Sequence, residues 1–209
     1  MTNPNASPVR PPFDLLAESY DGLSGWCNHR PLLACALLST SGPILEFGAG
    51  DGSTPLLARY AAASGRRLVT FESDRGYFER FAGLASPIHR LVHDPRWELA
   101  DALYENPAGV AADLGFPLLP ASVALIDHAP SERRVVDIVG LAPHVDYLVV
   151  HDSEPSSAHY RLAEVRASFP HWWDYTAAGA WASVCSRRRS LDPVLALLRG
   201  VEPGRFVAP

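Results

Sequence analysis

The chain has 209 residues, 47% hydrophobic and 20% charged, which is enough to bury a core and make one soluble globular domain. A net charge of −5 at pH 7 provides no overall basic field for non-specific nucleic-acid binding, so nucleic acid is excluded as an expected partner and Arg187, Arg188 and Arg189 read as a solvated run. Three widely spaced cysteines, Cys27, Cys35 and Cys185, form neither a zinc box nor a disulfide framework and fit a reducing cytoplasm; no stretch is apolar for long enough to span a bilayer.

The opening "MTNPNASPVRPPFD" is polar and proline-rich, without a signal-peptide core. Residues 1–20 are expected to be a mobile arm and residues 21–209 a single domain. "RPLLACALLS" has helical periodicity and runs into a Gly-Pro turn before Ile44. From there short β-rich runs, "PILEF", "RLVTFE", "HRLVH", "SVALID" and "DYLVVHD", alternate with stretches predicted to be helical from near Ser53, Asp74, Arg96, Ser131 and Ser157. This alternation predicts a doubly wound α/β fold with a mostly parallel sheet. "YENPAGVAADLGFPLLP" is the least regular interior segment. "HWWDYTAAGAWASVCSRR" reads as two strands with no room for a crossover helix, so they should pair antiparallel. "SLDPVLALLRG" predicts a last helix closed by Gly200.

The stretch "ILEFGAGDGST" spaces its glycines as G-x-G-x-G, at Gly48, Gly50 and Gly52, and not as the G-x-G-x-x-G of dinucleotide sites. Glycine removes the Cβ where a backbone must pass close to a ligand, and the helix predicted from Ser53 aims its N–H groups there. Glu72 ends the second strand, 20 residues beyond Gly52, where a carboxylate can accept from both hydroxyls of a ribose.

"LEFGAGDGST" with "FES" resembles the cofactor site of the class I S-adenosylmethionine-dependent methyltransferases. The resemblance covers roughly residues 30 to 187 and implies a seven-stranded Rossmann-like sheet with an antiparallel C-terminal hairpin. It implies that Glu46, Gly48, Ala49, Gly50, Gly52 and Ser53 hold the methionine portion and that Glu72, with Ser73 beside it, holds the ribose. Asp94, in "LVHDPRW", would meet the adenine amino group and Trp97 would cover the ring; a helix cap and a core tryptophan are the structural alternatives. "GLSGWCNHRPLL" resembles the segment that closes over the cofactor, which makes Trp26, Asn28 and His29 candidates for the mouth of the site.

Asp127 and His128 follow the fourth strand, and His151, Asp152, Ser153 and Glu154 end the fifth. Ligands of open parallel sheets bind beyond the carboxyl ends of the strands, so both clusters should face the opening of the glycine loop. The pairing is similar to that of the metal-dependent catechol-type O-methyltransferases, in which strand-end acids bind magnesium. That likeness makes Asp127, Asp152 and Ser153 candidate ligands for Mg²⁺ or another divalent ion, with Ser153 standing where that family has asparagine and Glu154 as a substitute. Without a metal, His128 or His151 would be the general base, which gives Asp127, His128, His151 and Asp152 as the catalytic set. Asp127 also borders the cofactor. Arg133 and Arg134 fall in a predicted first turn and either reach Asp152, Glu154 or an acidic substrate, or lie exposed near Asp137.

The expected activity is methyl transfer from S-adenosylmethionine to a hydroxyl, or less readily an amine, of a small molecule, with no nucleic-acid or membrane partner and a homodimer left open. The alternative is a non-catalytic scaffold that keeps the cofactor site.

Overall fold

A computed structural model describes residues 14–156 and 158–201. Seven strands, β1 (Ile44–Phe47), β2 (Leu68–Glu72), β3 (His89–His93), β4 (Ala121–Ile126), β5 (Val145–His151), β6 (His171–Ala178) and β7 (Ala180–Ser186), form one sheet in the order β3-β2-β1-β4-β5-β7-β6. The first five run parallel and β6 and β7 pair antiparallel, as the sequence predicts, and β7 also pairs antiparallel with β5. β1 and β4 are buried at every position, because helices cover both faces of a parallel sheet. One layer holds α2 (Arg30–Leu38), α3 (Thr54–Ser64) and α9 (Asp192–Val201) against Ile44, Val123 and Val149. The other holds α5 (Glu98–Glu105) and α7 (Arg133–Leu141) against Leu45, Phe47 and Phe71, and α4 (Arg75–Phe81) packs on β2 and β3.

Three expectations need correction. Residues 15–20 of the expected arm form α1 (Leu15–Tyr20), capped by Asp14, which accepts from the Ala17 N–H at 3.1 Å, and Leu15 packs into the core; residues 1–13 lie outside the described residues. The segment read as least regular contains α6 (Pro107–Leu114), which starts on an Asn106 cap and ends at left-handed Gly115, an Asn-Pro start and a glycine stop that the sequence displays. Gly200 lies inside α9 and does not close it. The helix start near Ser157 falls outside the described residues, and α8 (Leu162–Arg166) begins beyond it.

Two features of this frame set the glycine loop. Side chains alternate along β1, so Glu46 points with Ile44 toward the layer of α2 and α3 and arrives beneath the start of α3. There it is fully buried and accepts from the hydroxyls of Ser53 (2.5 Å), Thr54 (3.0 Å) and Thr70 (2.6 Å). Burial pushes its carboxyl up to about 7, against the opposing pull of these hydroxyls. Glu46 therefore supports the loop from behind.

Gly48 has φ +94°, and a Cβ there would lie 2.6 Å from the Asp127 carbonyl oxygen and 2.8 Å from His128 Cα. The loop crosses the end of β4 with no room for a side chain. Gly52 is similarly pressed, with the Trp26 carbonyl oxygen at 3.0 Å from its would-be Cβ, whereas the Cβ of Gly50 would meet nothing nearer than 4.0 Å. At Gly48 and Gly52 the close neighbour is thus the chain itself, and not a ligand as the sequence suggested.

Gly48→Ala should lose about 3 kcal/mol of unfolding free energy by urea denaturation. Gly65→Ala, at φ +70° with no atom within 4 Å, should lose only about 1 kcal/mol; equal losses would show that the crossing at β4 is not tight. Glu46 carries a pKa raised from 4.5 to about 7 on folding, so its proton favours the folded state fully below pH 4.5 and that contribution fades as pH rises through 7. The stability of Glu46→Gln relative to the parent chain should therefore climb between pH 5 and pH 8, by on the order of 3 kcal/mol. A flat difference would exclude the buried, raised carboxyl.

Candidate active site

Beyond the carboxyl ends of β1, β2, β4 and β5 lies a cavity of about 540 Å³. Gly48, Ala49, Gly50, Asp51 and Gly52 line one side with Glu72, Ser73 and Tyr77, and Asp127, Arg134, His151 and Asp152 line the other. Trp26 stands at the rim, 87% exposed.

Glu72 takes the Ala49 N–H on Oε2 at 2.7 Å and the Asp74 N–H on Oε1 at 2.6 Å. Those bonds fix both oxygens at the cavity wall. A carboxylate has about four acceptor sites, so two remain for a diol. Ser73, on the same wall, donates to the Ala129 carbonyl at 3.3 Å. Within the loop the N–H groups of Gly48, Ala49, Gly50, Ser53 and Thr54 are bonded inside the protein, which leaves those of Asp51 and Gly52.

Ser53 and Glu46 are absent from the cavity wall, because the Ser53 hydroxyl is spent on Glu46. Asp94 is likewise off the wall: its Oδ2 accepts from Leu99 and Ala100 N–H, each at 3.0 Å, and so caps α5. Trp97 is buried in the core with its ring 4.5 Å from that of His128. For both residues the structure selects the cap and core alternatives.

The opposite wall is an ion cluster. Asp127 Oδ1 lies 2.9 Å from His151 Nδ1 and 3.2 Å from Arg134 Nη2. Asp152, held at φ +52°, lies 3.5 Å from His151 Nε2 and 3.7 Å from Arg134 Nη1 and accepts from the Tyr160 hydroxyl at 3.0 Å. The two strand-end acids thus meet the same two cations. Arg134 is buried because it also donates to the carbonyls of His128 (2.9 Å) and His151 (2.7 Å) and stacks 4.4 Å from the Tyr160 ring centre. Arg133 instead pairs with Asp137 and Asp101.

Burial opposes a charge on His151, yet its hydrogen bond to Asp127 and the charges of Asp127 and Asp152 raise its pKa to about 9. His151 is an imidazolium at neutral pH, which removes it as the expected general base. Burial also opposes the charge on Asp127, but His151 wins and the carboxyl stays below its usual range. His128 borders the cavity, but its ring nitrogen turns to Asp137 and away from the opening. Its imidazole is buried with Nε2 2.9 Å from Asp137, and the ring packs between Phe47 and Trp97.

Ser153 is not placed as a ligand. It is buried against β7, where its hydroxyl accepts from Ser183 at 2.6 Å. Glu154 turns the same way and accepts from the Trp181 N–H at 3.2 Å. The residue after a left-handed Asp152 faces β7 and away from the crevice, a reversal that strand reading does not foresee.

The segment before α2 is stitched across the site. The Gly25 carbonyl accepts from His151 Nε2 (3.0 Å), Asn28 Nδ2 donates to the Ala180 carbonyl (2.5 Å) and Arg30 Nε to the Gly52 carbonyl (2.5 Å). Of the three mouth candidates only Trp26 lines the cavity; Asn28 and His29 are fully buried beneath it. Burial, then the charge of His151, lowers the His29 pKa to about 3, so this imidazole is neutral, and neither ring nitrogen has a hydrogen-bond partner among the described residues. Arg134 was legible as a first-turn arginine. Tyr160 and Tyr77 carried no signal, since isolated tyrosines occur on most surfaces.

No family model matches the sequence, and no curated protein matches it. Solved structures do. The methyltransferase domain of human METTL16 superposes with TM-score 0.53 at 16% identity, over 78% of this chain and 68% of that one. Human methyltransferase-like protein 13 in complex with S-adenosylhomocysteine gives TM-score 0.54 at 14% identity, over 88% and 92% of the two chains. A Klebsiella pneumoniae protein assigned as an O-methyltransferase gives 0.52 at 17%, over 87% and 93%. These likenesses overturn the expected partner: METTL16 and methyltransferase-like protein 13 stand beside the assigned O-methyltransferase among the neighbours, so a small-molecule acceptor with nucleic acid excluded no longer stands. A net charge of −5 describes the whole chain and not the rim of one cavity. At identities between 14% and 17% the likeness is one of architecture: the chain has the fold of the class I S-adenosylmethionine-dependent methyltransferases.

Proposed function

We propose that the protein transfers a methyl group from S-adenosylmethionine to an oxygen or nitrogen that a macromolecular acceptor presents at the cavity rim. The observation that carries this reading is Glu72, pinned by two backbone N–H groups at one end of the cavity with acceptor sites to spare for the ribose. The Asp51 and Gly52 N–H groups, the loop donors without a partner among the described residues, are the ones available to the methionine carboxylate, and Gly50 leaves the backbone open to it. The sulfonium methyl is already electrophilic, so the protein's task is to align the acceptor and leave it a lone pair. Asp127, ionised and anchored by His151 and Arg134, is the group best placed to accept a hydrogen bond from the acceptor's N–H or O–H.

The acceptor class follows from space. A cavity of about 540 Å³ is at the scale of one drug-sized ligand, and the cofactor takes most of it. Trp26 at 87% and Tyr77 at 47% exposure flank the opening as stacking surfaces, which suits a flat group extended from a larger molecule. Three buried cysteines, none in a disulfide among the described residues, agree with a reducing compartment such as the cytoplasm.

Calorimetric titration with S-adenosylhomocysteine and with NAD⁺ tests the cofactor. S-adenosylhomocysteine should bind and NAD⁺ should not, and Glu72→Ala should weaken binding by about 1–3 kcal/mol as a charged acceptor is lost; NAD⁺ binding alone would remove the methyltransferase reading. Labelled methyl from S-adenosylmethionine should enter the acid-precipitable fraction of a cell extract, and Trp26→Ala should raise KM for that acceptor more than it lowers cofactor affinity. Label confined to soluble small molecules would refute the macromolecular acceptor and leave the cofactor reading intact.

A further inference from the structure

We propose that His29, Asp127 and His151 bind one divalent transition-metal ion through two imidazole nitrogens and one carboxylate oxygen. One candidate ligand atom from each residue lies within 4.8 Å of the other two; ligands of a single ion with bonds of about 2.1 Å lie up to about 4.2 Å apart, so side-chain shifts of a few tenths of an ångström close the three onto one ion. The 2.9 Å between His151 Nδ1 and Asp127 Oδ1 is the separation of two ligands set at about a right angle around such an ion.

Two observations independent of that spacing point to an occupant. The His29 ring is fully buried and both of its nitrogens lack a hydrogen-bond partner among the described residues, a state that native interiors rarely leave without an explanation. The other two ligands already have the outer partners of a metal site. His151 Nε2–H donates to the Gly25 carbonyl at 3.0 Å, which aims Nδ1 at Asp127, and Arg134 holds the Asp127 carboxylate at 3.2 Å. A metal-bound histidine is oriented by just such a bond from its second nitrogen to a carbonyl. The ion takes the place of the proton between Nδ1 and Asp127, and that proton leaves to solvent.

Two imidazoles and one carboxylate select Zn²⁺, Mn²⁺ or Fe²⁺ over Mg²⁺, which prefers oxygen alone. Three protein ligands leave at least one position for water or an acceptor atom, and Asp127 and His151 both border the cavity. The set differs from the one expected from strand ends: Asp127 is shared, His29 and His151 replace Asp152 and Ser153. It does not depend on methyl transfer.

Full-length protein without an affinity tag, stripped with a chelator and dialysed, is titrated with Co²⁺ while its visible absorption is followed, then challenged with Zn²⁺ and with Mg²⁺. One Co²⁺ should bind per chain, Zn²⁺ should displace it and Mg²⁺ should not. His29→Ala and Asp127→Asn, verified as folded by circular dichroism, should each lose more than about 100-fold in affinity, beyond the loss typical of an outer-shell partner. Asp152→Asn should change it by less than about 10-fold. The site is refuted if the folded parent chain takes up neither Co²⁺ nor Zn²⁺, an outcome that needs no variant, or if folded His29→Ala binds as tightly as the parent. A loss in Asp152→Asn equal to that in Asp127→Asn would also overturn it, placing the ion between the strand-end acids. S-adenosylhomocysteine affinity is measured on the same stripped protein, so that failure of the metal site and failure of the cofactor reading are separate results.

Discussion

The crossing of Gly48 over the backbone of Asp127 and His128 fixes the distance between the two walls of the cavity. β1 and β4 are neighbours in the sheet, and the Asp127 N–H donates to the Phe47 carbonyl at 2.9 Å just where the loop leaves β1. With no Cβ to hold them apart, the glycine loop and the strand-end acid are parts of one rigid object. Glu46 secures the loop from below through Ser53 and Thr54, and Glu72 secures it from the side through Ala49. A ligand that touches the loop is therefore positioned relative to Asp127 without any moving part, the condition under which alignment lowers a barrier.

Electrostatically the two walls differ. The loop wall offers backbone donors and the Glu72 carboxylate, whereas the strand-end wall is nearly self-neutralised: Asp127 and Asp152 face Arg134 and a charged His151. Such a cluster is expensive to bury and inexpensive to keep only while every member stays paired. His29 is the exception. It is neutral, deeply buried and next to the charged ring of His151, with ring centroids 4.7 Å apart, so it gives up hydration and gains no hydrogen-bond partner among the described residues.

How much of this could be read from the sequence depended on whether the signal was local. The mostly parallel sheet, the antiparallel hairpin and the glycine loop follow from strand composition and glycine spacing, which are properties of a few consecutive residues. Glu72 and Asp127 were placed on the cavity because strand ends converge in any open parallel sheet. The failures are matters of side-chain direction. Ser153 and Glu154 turn to β7 after a left-handed Asp152; Ser53 is consumed by Glu46, and Asp94 by the start of α5. His128 and His151 looked alike as strand-end histidines. What separates them is that one packs on Phe47 and Trp97 while the other sits between two carboxylates, and no local pattern encodes that. The exclusion of nucleic acid failed for a related reason, since a summed charge carries no information about where charges lie.

The stitches made by the segment before α2 set an order of assembly. His151 bonds to Gly25 across 126 positions of sequence, and Asn28 to Ala180 across 152. On the ribosome Gly25 and Asn28 emerge well ahead of His151 and Ala180, so these bonds wait for 126 and 152 further positions to be made. Loop closure over such separations is slow and is rewarded only when both ends are already structured. The sheet can grow from β1 outward during synthesis, while the floor of the cavity closes after β7 is released, so a nascent chain holds a formed glycine loop before it holds a formed site.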